Sequence, residues 1–66
     1  MFYRNNREIS YEEFVPLANQ YGYQVAFIDD SLHCFEQELF DRLMENPEFK
    51  ANVKFGVYCN SYLHIL

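Results

Sequence analysis

His33, Cys34, Cys59 and His64 are the only imidazoles and thiols in this 66-residue chain, and with ten carboxylates they make up its chemical repertoire. Zinc sites draw on pairs such as C-x₂₋₄-C or H-x₃₋₅-H, and neither spacing occurs here. Adjacent His33 and Cys34 on a helix would project about 100° apart and could not chelate together, so the sequence predicts no metal and no cofactor. A cysteine nucleophile needs a histidine base and a third orienting group within hydrogen-bond reach, and a chain this short has little room for a water-excluding pocket as well. With only Gly22 and Gly56 present, no glycine-rich phosphate loop exists. Glu36 falls among apolar neighbours on a helical projection, where partial burial with a hydrogen bond is the usual outcome rather than acid catalysis. The chain does not read as an enzyme.

What remains is charge. All ten acids lie between Glu8 and Glu48, a span holding the single base Arg42 and carrying −9, while the flanks hold Arg4, Arg7, Lys50 and Lys54. Seven of the acids, Asp29, Asp30, Glu36, Glu38, Asp41, Glu45 and Glu48, crowd into "DDSLHCFEQELFDRLMENPEF". Read as one helix with Leu32 at the centre of its buried face, that stretch places Asp41, Glu45 and Glu38 at about 180°, 220° and 240°, on the opposite side. Their spacing of roughly 3.5 Å along the axis resembles the ~3.4 Å per charge of one nucleic-acid strand. A solvated face with a Glu38–Arg42 pair is the plainer reading of the same pattern. Asp29, Asp30, Glu38, Asp41, Glu45 and Glu48 are the candidate partner-binding residues.

These side chains need elements to hold them. "FYRNNREI" predicts a hairpin of residues 2–4 and 7–9 around Asn5-Asn6, since asparagine tolerates the positive φ of a type I′ turn. Ser10 with Glu13 has the capping-box spacing. A first helix follows, through Tyr11, Phe14, Leu17, Ala18 and Tyr21 to Gly22, and Pro16 should kink or break it. "YQVAFI", 23–28, predicts a strand. Asp29, Asp30 and Ser31 read as N-caps of a second helix starting near 31, with Leu32, Phe35, Leu39 and Leu43 as its apolar stripe. It should stop at Asn46 before Pro47, and those two residues could cap a further turn through Ala51. Val53, Phe55, Val57 and Cys59 alternate as a strand. Asn60-Ser61 would turn the chain into "YLHIL", which either completes a hairpin or contacts another subunit.

The expected fold is one α+β domain over 1–66: a small, mostly antiparallel sheet with two helices on one face, in the order ββαβα plus one or two C-terminal strands. Thirteen aromatic residues are more than a disordered tail would carry. They are also more than a chain burying only about 60% of its surface can hide, which favours an interface. No leader-like or membrane-spanning apolar run is present, so a cytoplasm with both cysteines reduced is expected.

Functionally the pattern predicts a non-enzymatic acidic protein that binds a basic surface, such as that of a nucleic-acid-handling complex. Direct nucleic-acid binding is not expected of a chain with five bases and ten acids. In size and charge the chain is similar to small phage and mobile-element antagonists of host enzymes, such as anti-CRISPR and anti-restriction proteins; no motif carries the likeness. The alternative is a homodimeric structural or regulatory protein joined through Tyr62, Leu63 and Ile65, whose acids confer solubility.

Overall fold

The computed structural model describes residues 1–59 and 62–65. The chain begins with β1 (Phe2–Arg4) and β2 (Arg7–Ile9), then forms α1 (Tyr11–Ala18), β3 (Tyr23–Ile28) and β4 (Ser31–Glu36). It continues with α2 (Gln37–Leu43), α3 (Pro47–Asn52), β5 (Lys54–Cys59) and β6 (Tyr62–Ile65). The six strands make one sheet in the order β2-β1-β4-β3-β5-β6, antiparallel at every pair except β1–β4. This is the expected α+β class with a mostly antiparallel sheet.

Local signals account for several elements. Asn5 and Asn6 take positive φ of 48° and 70°, closing the first hairpin with Phe2 opposite Ile9. Ser10 caps α1: its Oγ accepts from the Glu13 N–H and donates to Glu13 Oε1, both at 3.2 Å. The helix passes through Pro16 but ends two residues later, well short of Gly22. Proline removes a bond to Glu12 and crowds its carbonyl, and the Asn19 side chain then takes the Val15 carbonyl at 2.9 Å. Gly22, at φ +96°, serves a separate turn into β3.

Residues 31–36, expected to open a helix, form β4 instead. Asp29 and Asp30 have φ of 50° and 63°, the left-handed pair that a two-residue hairpin loop requires. Carboxylate side chains suit this turn as well as an N-cap, and the turn wins because β4 gains two neighbours. It pairs with β3 along its whole length and with β1 on its other side. The third helix, α3, is the Asn46-Pro47 turn extended to Asn52; Asn46 Oδ1 accepts from Glu48 N–H at 2.9 Å and Phe49 N–H at 3.5 Å.

The helices do not share one face. Phe14 of α1 packs with Val25, Cys34 and Tyr58, whereas Phe40 of α2 packs with Ala26 and Phe35. Val25 and Ala26, like Cys34 and Phe35, are strand neighbours whose side chains point to opposite sides of the sheet. The molecule is therefore layered helix, sheet, helix, with α2 and α3 opposite α1. On their side Phe40 meets Phe35, Phe49 and Phe55 with ring centroids 6.1, 6.3 and 5.6 Å apart. No polar or charged residue is buried among the described residues. β5 and β6 pair as a hairpin, Tyr58 opposite Leu63; its predicted Asn60-Ser61 turn lies outside the described residues.

Candidate acidic interface

Leu39, Phe40, Leu43 and Met44 turn α2 toward the sheet, which leaves Glu38, Asp41 and Arg42 on its outer side. Backbone bonds from neighbouring elements fix the start of the helix: Glu36 N–H donates to Asn5 Oδ1 at 3.1 Å and Gln37 N–H to the Gly22 carbonyl at 2.9 Å. The Gln37 side-chain amide donates to Asp41 Oδ1 at 2.9 Å, holding that carboxylate along the helix. Glu45 sits past the helix end, in a turn where its N–H bonds the Arg42 carbonyl at 3.2 Å. Glu48 lies in the first turn of α3.

Glu38, Asp41, Glu45 and Glu48 thus follow the outer side of the α2–α3 layer, all exposed, though not as the single helical row the sequence suggested. The row is broken because α2 has seven residues and ends before Glu45. Asp29 and Asp30 are exposed too, but at the far end of the β3–β4 hairpin from Glu36, roughly 20 Å away at the rise of an extended strand. Phe49, in the first turns of α3, lines one groove with Asp29, Tyr3, Ser31 and His33, which brings α3 next to the β3–β4 turn.

Glu36 is a correction. It is exposed, at the junction of β4 and α2, and not half-buried on an apolar helix side. It shares a groove with Arg4, Arg7, Glu8 and Glu13, so the N-terminal bases fold back among acids instead of forming a separate basic flank. Arg4 Nη2 donates to the Tyr23 hydroxyl at 3.1 Å, a bond that favours its charged form.

The soft side chains are scattered. His33 and Cys34, expected about 100° apart on a helix, point to opposite faces of a strand. His33 stacks between Tyr3 (4.6 Å, 13°) and Phe35 (5.6 Å, 12°), and its buried Nδ1 has no hydrogen-bond partner among the described residues. Cys34 is fully buried, and that burial pushes its thiol up to about 11. Cys59 and His64 are exposed on the β5–β6 hairpin, one diagonal step apart across the ladder. Among the described residues no group of three or more His, Cys, Asp or Glu is placed to hold a metal ion.

One residue that sequence reasoning missed is Tyr21, which is fully exposed in the turn after α1. It borders a groove with Tyr23, Glu36, Gln37 and Glu38, so an uncovered ring stands next to the acidic layer. Its only sequence signal is its place between a helix stop and Gly22, and helical spacing had assigned it to the core.

No family model matches the chain, and no curated protein or solved structure matches it significantly. Among the described residues no helix is long and apolar enough to cross a membrane.

Proposed function

We propose that this chain is a non-enzymatic acidic binding protein that covers a basic surface of a partner, of the kind that otherwise engages nucleic-acid phosphates. The reading rests on the outer side of the α2–α3 layer, where Glu38, Asp41, Glu45 and Glu48 are all exposed while Phe40 and Phe49 anchor the layer from beneath. Glu38 and Asp41 are three residues apart on one helix, ~4.5 Å along its axis, a step of the same order as successive phosphates. Tyr21 adds an exposed ring beside Glu36 and Glu38, and tyrosine at the margin of a charged patch is a common interface anchor. A partner's arginine or lysine meets both a carboxylate and an aromatic face there. The protein would act as an antagonist in a cytoplasm, as small phage and mobile-element inhibitors do.

The test is affinity capture from a host lysate with two baits, the native chain and the triple variant Glu38→Gln, Asp41→Asn, Glu45→Gln. Exposed substitutions each shift stability by no more than ~0.5 kcal/mol, so the variant stays folded. A nucleic-acid-binding protein retained by the native bait, released by salt and lost with the variant is the expected result. Identical capture by both baits would refute the reading.

A further inference from the structure

The two edges of the sheet are built differently. β2 is three residues long, carries Arg7 and Glu8, and turns at once into α1. Short length and charge are the usual protections of an exposed edge against pairing with another chain. β6, at the other edge, reads Tyr62-Leu63-His64-Ile65, with no Lys, Arg, Asp, Glu or Pro. Tyr62 is 72% exposed and Ile65 54%, and Val57 on the adjoining strand is 58% exposed. Phe27, Leu32, Leu63 and Ile65, together with Lys54, line a shallow and largely apolar groove beside this edge, on the side of the sheet that α1 covers elsewhere.

Charge decides which occupant fits. The chain carries −5, and a second copy is repelled wherever acids face acids. All ten acids lie at or before Glu48, so the β5–β6 hairpin contains none, and its one charged side chain is Lys54. It is the segment of this molecule that a second copy can approach with least repulsion, and its own β6 is an extended complement whose outer edge has no partner strand among the described residues.

From this contrast we infer that β6 pairs antiparallel with β6 of a second copy, joining the two sheets across a two-fold axis. The axis runs perpendicular to the sheet, through Leu63 or His64, because residues opposite one another in a ladder point to the same face. Leu63 and Ile65 then adjoin the partner's copies of the same residues and the two apolar grooves become one strip. Tyr62 and His64 do likewise on the other side. A contact made by one four-residue strand per copy buries less than the ~800 Å² per partner of a standard interface, so the dimer is weak and its population depends on concentration. The contact is remote from α2, and the acidic-layer triple variant leaves it unchanged.

Sedimentation velocity from low micromolar to near-millimolar protein tests this, with native chain, Tyr62→Lys and Ile65→Lys compared. The native mass is expected to rise from 8.0 kDa toward twice that value, and both variants to remain monomeric, since each sets like charges near the axis. Amide exchange supplies a second reading on native protein: β6 protection should fall on dilution while β3 protection does not. A native chain that stays monomeric throughout, variants that associate as the native chain does, or β6 protection independent of concentration would each overturn the inference. If one lysine variant unfolds the hairpin, the other variant and the exchange measurement decide it.

Discussion

Acid should destabilise this protein through His33. Its imidazole is half-buried between Tyr3 and Phe35, and among the described residues no protein acceptor faces Nδ1 to receive the proton it would gain. Burial is the main cause that holds its pKa below the ordinary 6.5; the nearby N-terminal ammonium acts in the same direction and Asp29 opposes both. Because the folded pKa is the lower one, the unfolded chain binds the proton first as pH falls. Stability is complete above about 6.5 and declines below it until the folded form also protonates. The slope cannot exceed ~1.4 kcal/mol per pH unit for one group, so a drop from about pH 7 to about pH 5 removes at most ~2 kcal/mol.

That ceiling is a large part of the ~3–10 kcal/mol expected for a domain of this length, and it corresponds to a melting-temperature loss of up to roughly 15 °C. Thermal unfolding followed by circular dichroism at closely spaced pH values measures it. Other groups also titrate in this range, so the informative quantity is the difference between native protein and His33→Phe. Phenylalanine keeps the ring stack and removes the orphaned acceptor, which itself should add ~1 kcal/mol at neutral pH. The variant's curve should flatten below about pH 6.5 relative to native, and Asp29→Asn should steepen it. Identical pH dependence of native and His33→Phe would refute the argument.

Two further predictions concern the far side of the sheet and the thiols. A Cβ at Gly56 would run into the His64 carbonyl oxygen and lie 2.7 Å from its carbon and 3.0 Å from Ile65 Cα, all backbone atoms. Gly56→Ala should therefore cost ~1–3 kcal/mol by displacing β6, lowering the denaturation midpoint and exposing β6 amides to exchange; unchanged exchange would refute the close approach. A thiol reagent should modify one cysteine per native chain, exposed Cys59, and two after denaturation, since Cys34 is buried with its thiol pushed up to about 11. Rapid reaction of both in native protein would contradict that burial.

Much of the fold was legible where local chemistry alone decides it. Asn5-Asn6, the Ser10–Glu13 box, the 23–28 strand and the Asn46-Pro47 cap each read correctly because their partners lie within a few residues. Residues 31–36 were not legible in this way. Leu32, Phe35 and Leu39 satisfy a helical stripe, but a central strand buries both of its sides, and "LHCF" does so with Leu32 and Cys34 toward α1 and His33 and Phe35 toward α2. The choice was made by β1, thirty residues earlier in the chain, whose parallel pairing with β4 no local pattern announces. The misreading also carried Glu36 to the wrong environment and drew three acids into a single helical row.

The acidic residues are exposed despite that misreading, for a physical reason. Charged side chains in a small domain have nowhere to go but turns, helix exteriors and strand ends, so exposure of Asp29, Asp30, Glu38, Asp41, Glu45 and Glu48 follows from composition whichever element holds them. Exposure is thus common to all six, and the choice among them rests on what stands beside each. Tyr21 is a different matter, because a ring left fully in water contributes nothing to this fold through burial, and the same chain buries Phe14, Phe35 and Phe40. Its position beside Glu36 and Glu38 supplies what a carboxylate cluster lacks, an apolar surface whose desolvation a partner can complete. Contact should therefore centre on the Tyr21 end rather than on the Asp29-Asp30 turn: Tyr21→Ala is expected to weaken partner capture more than Asp29→Asn combined with Asp30→Asn, and the opposite order would refute this.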